Sequence, residues 1–436
     1  MKAGHEGADI EAMTMRRIYI RLVPAIAVMI FIAVIDRTNI GVAALSMRQD
    51  IGLSAATFGL GATLFAVGYC LFELPSNLIL VRVGARRWLA RIMITWGLVT
   101  VAMALAAGPV SFLILRALLG LAEAGLTPGI LFYVSLWFPR RFRALALGGT
   151  IIAQPVAGMI GNPISGGLMT ISWFGLAGWQ WMFIIEGLMA VILAAVPLLV
   201  LTDRPQDAEW LSRQQRNWLI EELKRDRSEK DNASGAGMKA MLKDLRMAII
   251  VPVAICNAIA ISAVSIWLPS IIKDVSQSSN LTVSLLSGIP FGCATLAMIG
   301  LSIWSHRSGR YLVVLLSTYL LGAISFLLLP GQSGPGAFIL LCVATSTSLG
   351  AIPIFWALAG SFLSGKAAAA GLAMINILAN IGSGIGPAVV GWLLDYSGDF
   401  SSGFLALALD LALAAGLILL AMVFRMFDEP AASNGR

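Results

Sequence analysis

Residues 21–45 read RLVPAIAVMIFIAVIDRTNIGVAAL, an apolar stretch that contains one adjacent pair of opposite charges, Asp36 and Arg37. A stretch of this length can cross a bilayer, because a membrane-spanning helix needs about 20 apolar residues. Insertion scales put the cost of a charged side chain at membrane depth at about 2.5–3.5 kcal/mol, and the charges that persist there mostly face a cavity and serve a function. The stretch therefore predicts a transmembrane helix that carries part of a functional site.

The composition places this stretch in a membrane protein. Of the 436 residues, 58% are hydrophobic and 12% are charged, whereas about 25% of a soluble protein is charged. We predict an all-α membrane protein with twelve transmembrane helices in two pseudo-symmetric six-helix bundles. The apolar runs that support this prediction lie near 21–45, 56–80, 88–107, 111–136, 144–169, 181–201, 247–271, 282–304, 311–330, 336–361, 367–394 and 402–425.

The basic residues predict the orientation of these helices. Lys and Arg concentrate in the loops of one side, while the loops of the other side hold only Arg48 and Lys273. Basic loops remain in the cytoplasm, so we expect both termini there. The same bias explains the formal net charge of +7 without a nucleic-acid partner.

One long hydrophilic segment separates the two predicted bundles. Its Trp210, Leu211, Trp218, Leu219 and Leu223 fall near one stripe of a helix among charged residues, which is typical of an amphipathic helix on a membrane surface. The predicted division of the chain is a cytoplasmic tail over 1–20, an N-terminal bundle over 21–201, a cytoplasmic linker over 202–246, a C-terminal bundle over 247–425 and a cytoplasmic tail over 426–436.

A weak internal repeat supports two related bundles. The turn Arg82-Val83-Gly84-Ala85-Arg86 follows the second span, and Arg307-Ser308-Gly309-Arg310 follows the eighth. A short basic turn with glycine at equivalent positions indicates duplication, which puts a substrate site near the membrane midplane where the repeats meet.

Three motifs resemble those of the major facilitator superfamily. The basic turn after the second span is similar to the superfamily's loop signature, residues 116–124 (R-x-x-x-G-x-x-E-A) to its fourth-helix motif, and residues 158–163 (G-x-x-G-N-P) to its fifth-helix motif. The resemblance implies the two-bundle major facilitator fold and transport by alternating access. One departure is the acidic position of the loop signature, where the chain has Val81 and, in the second half, His306.

Five further stretches resemble the anion:cation symporters within that superfamily. This narrower resemblance implies a bacterial symporter of an organic acid or sugar acid, related to vesicular and lysosomal anion transporters and resident in the cytoplasmic membrane. It also implies the proton as coupling ion, no other cofactor and no metal, and we expect a monomer in contact with membrane lipid. The stretches are DRTN at 36–39, FELPSN at 72–77, WMFIIEG at 181–187, WLPSII at 267–272 and FWAL at 355–358.

Four ionisable residues of the N-terminal half suggest how anion and proton would be coupled. Asp36 and Arg37 point about 100° apart on their helix, whereas Arg116 and Glu123 lie seven positions apart and line one face at different depths. The set is neutral when all four residues are ionised. A proton on Asp36 or Glu123 leaves it with a net positive charge, which favours the binding of a carboxylate. We hypothesise that Arg37 binds the carboxylate, Asp36 and Glu123 carry protons, and Arg116 holds one of these acids in position.

The C-terminal half differs, because its seventh and tenth predicted spans carry neutral donors and Trp in place of interior charges. Such groups suit the orientation of substrate hydroxyls or a ring. The family pattern implies that Tyr69, Gln154, Trp356 and Asn376 also contact substrate. Three other acids, Glu73, Glu186 and Asp410, are interpreted as structural.

Other classes of function remain as alternatives. An enzyme is not expected, because the two histidines, His5 and His306, form no metal or catalytic motif. A drug:proton antiporter is the main alternative, since residues 161–167 (G-N-P-I-S-G-G) resemble an antiporter motif. An organic-anion uniporter or exchanger would share the fold.

Overall fold

The computed structural model describes residues 2–232, 244–362 and 365–427. Part of the predicted linker (233–243) and most of the predicted C-terminal tail (428–436) lie outside these residues. Within them the chain forms α-helices, one short 3-10 helix at Pro205–Asp207 and no strand. The helices are α1 (Lys2–Asp50), α2 (Ala55–Val83), α3 (Ala85–Met103), α4 (Pro109–Glu123), α5 (Leu126–Trp137), α6 (Arg140–Leu168), α7 (Gly178–Leu193), α8 (Ala195–Val200), α9 (Arg213–Asn232), α10 (Leu245–Ser276), α11 (Asn280–Ser308), α12 (Tyr311–Leu328), α13 (Gly334–Phe362), α14 (Gly365–Ser397) and α15 (Ser401–Val423).

Length and hydropathy confirm a membrane protein. Ten segments of the described chain are helical, long and apolar enough to cross a bilayer. The predicted third and fifth spans are also helical, as α3 and α6, but fall outside that group. Helix α3 is short and contains Arg86, Arg87 and Arg91, which lowers its hydropathy.

The chain divides into two compact units. Unit 1 comprises Met1–Ile51 and Leu64–Ala233, and unit 2 comprises Gly52–Thr63 and Ser234–Arg436. In unit 1, α1 packs on α6 and α3 packs on α7; in unit 2, α10 packs on α14 and α12 packs on α15. The first predicted span therefore packs on the fifth, and the third on the sixth, in each unit, as expected for duplicated bundles.

The segment Gly52–Thr63, at the start of α2, belongs to unit 2, although the sequence predicts one bundle over 21–201. In unit 2 the carboxylate of Asp395 accepts hydrogen bonds from the N–H groups of Ala55 (2.9 Å) and Ala56 (2.7 Å). A carboxylate at a helix N-terminus satisfies free N–H groups and complements the helix dipole.

Glycine shapes both basic turns of the repeat, with a positive φ of 98° at Gly84 and 66° at Gly309. At the first turn, the side chain of Asp203 lies beside Gly84. Its carboxylate accepts a hydrogen bond from the N–H of Arg86 (2.8 Å). The oxygens of Asp203 also occupy the space that a side chain on Gly84 would need.

The apolar stripe of the linker, for which the sequence suggested a membrane surface, packs on protein in unit 1. Leu211, Leu219 and Leu223 are buried in the apolar core of unit 1. Trp210, just before α9, stacks on Trp137 with ring centroids 5.3 Å apart. An apolar stripe marks only the side of a helix that avoids water, so the sequence could not distinguish lipid from protein as its neighbour.

Candidate functional site

A break in the fourth predicted span positions Glu123. Helix α4 ends at Glu123 because Ala124 is extended and Gly125 adopts a left-handed conformation with φ 89°, after which α5 begins. A side chain on Gly125 would collide with Ser76 of α2. Only glycine fits this turn without strain, and the turn leaves Glu123 at a helix end inside unit 1.

A second glycine brings α4 against α2. A methyl group on Gly120 would overlap the backbone carbonyl of Phe65, and one on Gly68 would meet the backbone of Ala117. The two helices therefore touch at backbone distance. The spacing of the fourth-helix motif follows from this contact, because Arg116 and Glu123 flank Gly120 by about one turn on each side.

These helices and α1 form the ion-pair cluster, which we define as Arg37, Phe65, Tyr69, Arg116 and Glu123. Arg37 Nε lies 2.7 Å from Glu123 Oε1. The guanidinium of Arg37 lies 5.2 Å from the ring centroid of Tyr69, and that of Arg116 lies 4.8 Å from the centroid of Phe65. Such cation–π contacts reach about 2 kcal/mol when desolvated.

Exposure separates the members of this cluster. The Arg37 side chain is 39% exposed, whereas Glu123 is 0% exposed. Glu123 Oε2 makes no hydrogen bond within the described structure. Arg37 is therefore the charged member that a solute can reach. Its guanidinium, which a substrate carboxylate would need, is already paired with Glu123.

A second group, the carboxyl cluster, consists of Asp36, Asn39, Thr100, Ser165 and Glu186. The hydroxyl of Thr100 donates to Asp36 Oδ1 at 2.8 Å. Asn39 Nδ2 donates to Glu186 Oε2 at 2.7 Å, and the Ser165 hydroxyl lies 2.6 Å from Glu186 Oε1. All five side chains are buried, and they come from α1, α3, α6 and α7.

Close helix contacts at small residues assemble the carboxyl cluster. Gly97 of α3 and Gly187 of α7 face each other so closely that a methyl group on either would strike the other's carbonyl oxygen. Gly161 of α6 rests against Ile35 of α1. These contacts hold Glu186 and Asp36, the neighbours of Gly187 and Ile35, inside unit 1.

The structure thus brings together four of the predicted site residues, Arg37, Tyr69, Arg116 and Glu123, with Asp36 next to Arg37 on α1. Gln154 lies on α6 of unit 1 and is partly buried. Trp356 and Asn376 belong to unit 2, on α13 and α14, and are also partly buried. The transport roles assigned to all eight residues stay predictions.

The neutral donors expected in the C-terminal half are largely occupied. Thr345 Oγ1 donates to the carbonyl of Leu341 at 2.7 Å, and Ser348 Oγ donates to that of Ala344 at 2.8 Å. Hydroxyls in helices commonly bond back to their own backbone in this way. Their protons are thus engaged within the helix, which weakens the expectation that they donate to substrate.

Sequence reasoning missed Phe65, Thr100 and Ser165. The spacing of Phe65 and Tyr69, four residues apart on α2, could have indicated that both rings share a face. Their centroids are 6.3 Å apart. For Thr100 and Ser165 no local signal exists, since a Thr or Ser in an apolar helix reads the same whether or not it meets a carboxyl group of another helix.

An all-helical membrane protein with ion pairs and lone carboxyl groups buried within its helices has the features of a secondary transporter, not of an enzyme. The family model of the Major Facilitator Superfamily matches residues 26–378. The chain belongs to this superfamily.

Known relatives agree with this assignment. A protein of Agrobacterium vitis named as a candidate tartrate transporter is 42% identical over 98% of this chain and 98% of its own. A quinolone resistance transporter of Acinetobacter baumannii is 38% identical over 97% of each chain. Among solved structures, a bacterial homologue of the human lysosomal transporter Spinster shares the fold, with a TM-score of 0.75, 17% identity, and coverage of 94% of this chain and 98% of that one.

Proposed function

We propose that the protein is a proton-coupled symporter that imports a small organic carboxylate by alternating access. It would reside in the bacterial cytoplasmic membrane with both termini in the cytoplasm. The observation that carries the proposal is the ion pair between the partly exposed Arg37 and the buried Glu123. The name of the Agrobacterium vitis relative supports a dicarboxylate such as tartrate as the substrate.

The ion pair supplies a physical basis for coupling. A substrate carboxylate and Glu123 compete for the guanidinium of Arg37. When Glu123 is protonated it is neutral, so it no longer forms an ion pair with Arg37. Without the proton, substrate binding would leave a second negative charge in a site of low dielectric, which is unfavourable. Proton and anion therefore each favour the binding of the other.

Within this mechanism the other predicted residues keep distinct roles. Asp36 is a second proton carrier, and Arg116, whose guanidinium lies 4.8 Å from the ring centroid of Phe65, holds Asp36 or Glu123 in position. Tyr69 orients the Arg37 guanidinium through its ring, 5.2 Å away. Gln154, Trp356 and Asn376 would contact the remainder of the substrate.

A drug:proton antiporter is the second candidate, and the relative from Acinetobacter baumannii favours it. Arg37 and Arg116 oppose it for cationic drugs, because two guanidinium groups in one cluster repel a cation. A quinolone also carries a carboxylate, so Arg37 alone does not exclude this class of drug. The direction of proton movement separates the two functions.

The test measures that direction in proteoliposomes with a pH-sensitive dye trapped inside. We expect external tartrate to acidify the lumen, and Arg37→Ala to lose this signal. An alkaline shift on adding a quinolone would favour the antiporter, and tartrate uptake without a pH change would favour a uniporter or exchanger. If tartrate gives no uptake, a sugar acid and an aromatic acid are tested in the same vesicles, and failure of all three overturns the proposal.

A further inference from the structure

Glu186 of α7 is a buried carboxyl group that the proposed mechanism does not use. It is 3% exposed and bonded to two neutral side chains, Asn39 and Ser165. Among the described residues no Lys, Arg or His forms an ion pair with it. An isolated carboxylate in such a place is very costly, and a buried acid of this kind binds a proton instead.

Among the described residues, Asp36 of α1 is a charged group close enough to act on Glu186 electrostatically. At this level α3 presents Gly97 and Val101, which pack on Gly187 next to Glu186. From α6 the contact is Ser165. All of these side chains except Asp36 are uncharged, so within the described part of the chain only a proton can neutralise Glu186.

The two partners of Glu186 can accommodate the acid with or without its proton. Asn39 Nδ2 can only donate, so it holds Oε2 as an acceptor in both forms. The Ser165 hydroxyl can donate to an ionised Oε1 or accept from a protonated one. A carboxyl group that only joined two helices would not need a partner that can both donate and accept a hydrogen bond.

Unbonded polar atoms nearby point to exchange with Asp36. Asp36 Oδ2 and both polar side-chain atoms of Asn162 are buried and make no hydrogen bond within the described structure. Asn162 follows Gly161, which rests against Ile35 beside Asp36. Two carboxylates that share a buried region cannot both be ionised at low cost.

We propose that Glu186 is a third proton-binding carboxyl group of unit 1 and that it exchanges its proton with Asp36. One of the two acids holds a proton while the other is ionised. The contribution of this exchange to transport rests on the proposed function, whereas proton binding by Glu186 does not.

The first test detects the proton directly and uses no substrate. Infrared difference spectra are recorded on the protein in lipid nanodiscs while the pH is stepped. We expect a carboxylic-acid C=O band that disappears in Glu186→Gln, because Gln keeps the size and the hydrogen bonds but cannot release a proton. A pH-dependent band set that is the same in wild type and Glu186→Gln overturns the proposal.

If Glu186→Gln does not fold, a second pair of variants tests whether the C=O band belongs to Glu186. Ser165→Ala removes a hydrogen bond to Glu186 and should shift the same C=O band to higher frequency. Ser135→Ala is the matched control, because Ser135 Oγ bonds to the carbonyl of Phe132 in its own helix. A band that stays in place in Ser165→Ala contradicts the assignment to Glu186.

Transport assays then separate the two levels of the inference. We expect Glu186→Gln to continue tartrate:tartrate exchange while the number of protons moved per tartrate falls. An unchanged ratio would make Glu186 a structural clamp only. If wild-type protein moves no protons with tartrate, the proposed symport is wrong. Proton binding by Glu186 is still tested by the infrared experiment, which uses no substrate.

Discussion

Unit 1 has buried polar side chains that bond to other helices, whereas the buried hydroxyls of unit 2 bond within their own helix. In unit 1, Asp36, Asn39 and Glu186 bond to side chains of other helices. In unit 2, every buried Ser and Thr within the described residues bonds to a carbonyl of its own helix; these are Ser284, Ser287, Ser305, Thr318, Ser325, Thr345, Thr347 and Ser348.

The difference extends to the helix backbone. The fourth span of unit 1 breaks after Glu123, whereas its counterpart in unit 2, α13, runs unbroken over Gly334–Phe362. Two bundles with the same packing order thus have different interiors. In unit 1 the buried charges depend on neighbouring helices, whereas the buried hydroxyls of unit 2 need no neighbour. Proton-linked chemistry requires groups whose state depends on their surroundings, so we expect it to reside in unit 1.

Matched substitutions of one buried aspartate in each unit give the largest expected difference. Asp410 of α15 lies beside Cys256 and has no ion-pair partner within the described residues. In the wild type we expect pH to change tartrate affinity by a factor of roughly 5–150, the range of ordinary coupling energies. Asp36→Asn should strongly reduce this factor. Asp410→Asn should leave that factor unchanged.

Tartrate titrations of the purified variants at two pH values measure this factor. Thermal unfolding of both proteins controls for loss of fold. If Asp410→Asn removes the pH effect as fully as Asp36→Asn does, proton coupling is not confined to unit 1 and the comparison between the units fails.

Glycine contacts give the second expected difference. Gly120→Ala would press a methyl group into the carbonyl oxygen of Phe65, which is backbone and cannot rotate away. Overpacking of this kind costs about 1–3 kcal/mol, and it would also displace Arg116 and Glu123. Gly416→Ala on α15 meets open space and should change stability by no more than about 0.5 kcal/mol.

The midpoint of thermal unfolding, followed by tryptophan fluorescence in one detergent, compares the two alanine variants. We expect a clearly lower midpoint and lost tartrate binding for Gly120→Ala alone. Equal midpoints would mean that α2 and α4 can separate without penalty, and the spacing of the motif around Gly120 would then need another explanation.

The two bundles were predictable because apolar length and the distribution of Arg and Lys are properties of the sequence itself. The candidate site was predictable only in part. Residue spacing gives the face and the relative depth of side chains on one helix, and it placed Arg116 and Glu123 on one face at different depths. The choice of Arg37 as the partner of Glu123 depends on where α1 and α4 lie beside α2. Gly120 of α4 sets how closely that helix approaches Phe65 of α2. Spacing within one helix contains no such information.

Asp203 illustrates the same limit at the first basic turn. The loop signature predicts an acid at the position of Val81, and the structure shows an acid that arrives from a distant part of the chain. The requirement for a carboxylate near the N–H of Arg86 is local, but the residue that meets it is not.

The smallest expected difference concerns two buried threonines, Thr100 and Thr345, which are both 0% exposed. Thr100 donates to Asp36 of another helix, and Thr345 donates to Leu341 of its own. Thr→Val keeps the shape of the side chain and removes the donor. We expect Thr100→Val to lose about 1 kcal/mol of unfolding free energy, because a buried carboxyl oxygen is left without a partner.

Thr345→Val should lose less than about 0.5 kcal/mol, since the carbonyl of Leu341 keeps its helical hydrogen bond when the hydroxyl is removed. Denaturant unfolding of the two variants in mixed micelles measures the difference. Equal losses would show that the Thr100–Asp36 bond stabilises unit 1 no more than a bond within one helix. The distinction between the units would then rest on their charged residues alone, because the hydroxyl groups would behave alike in both.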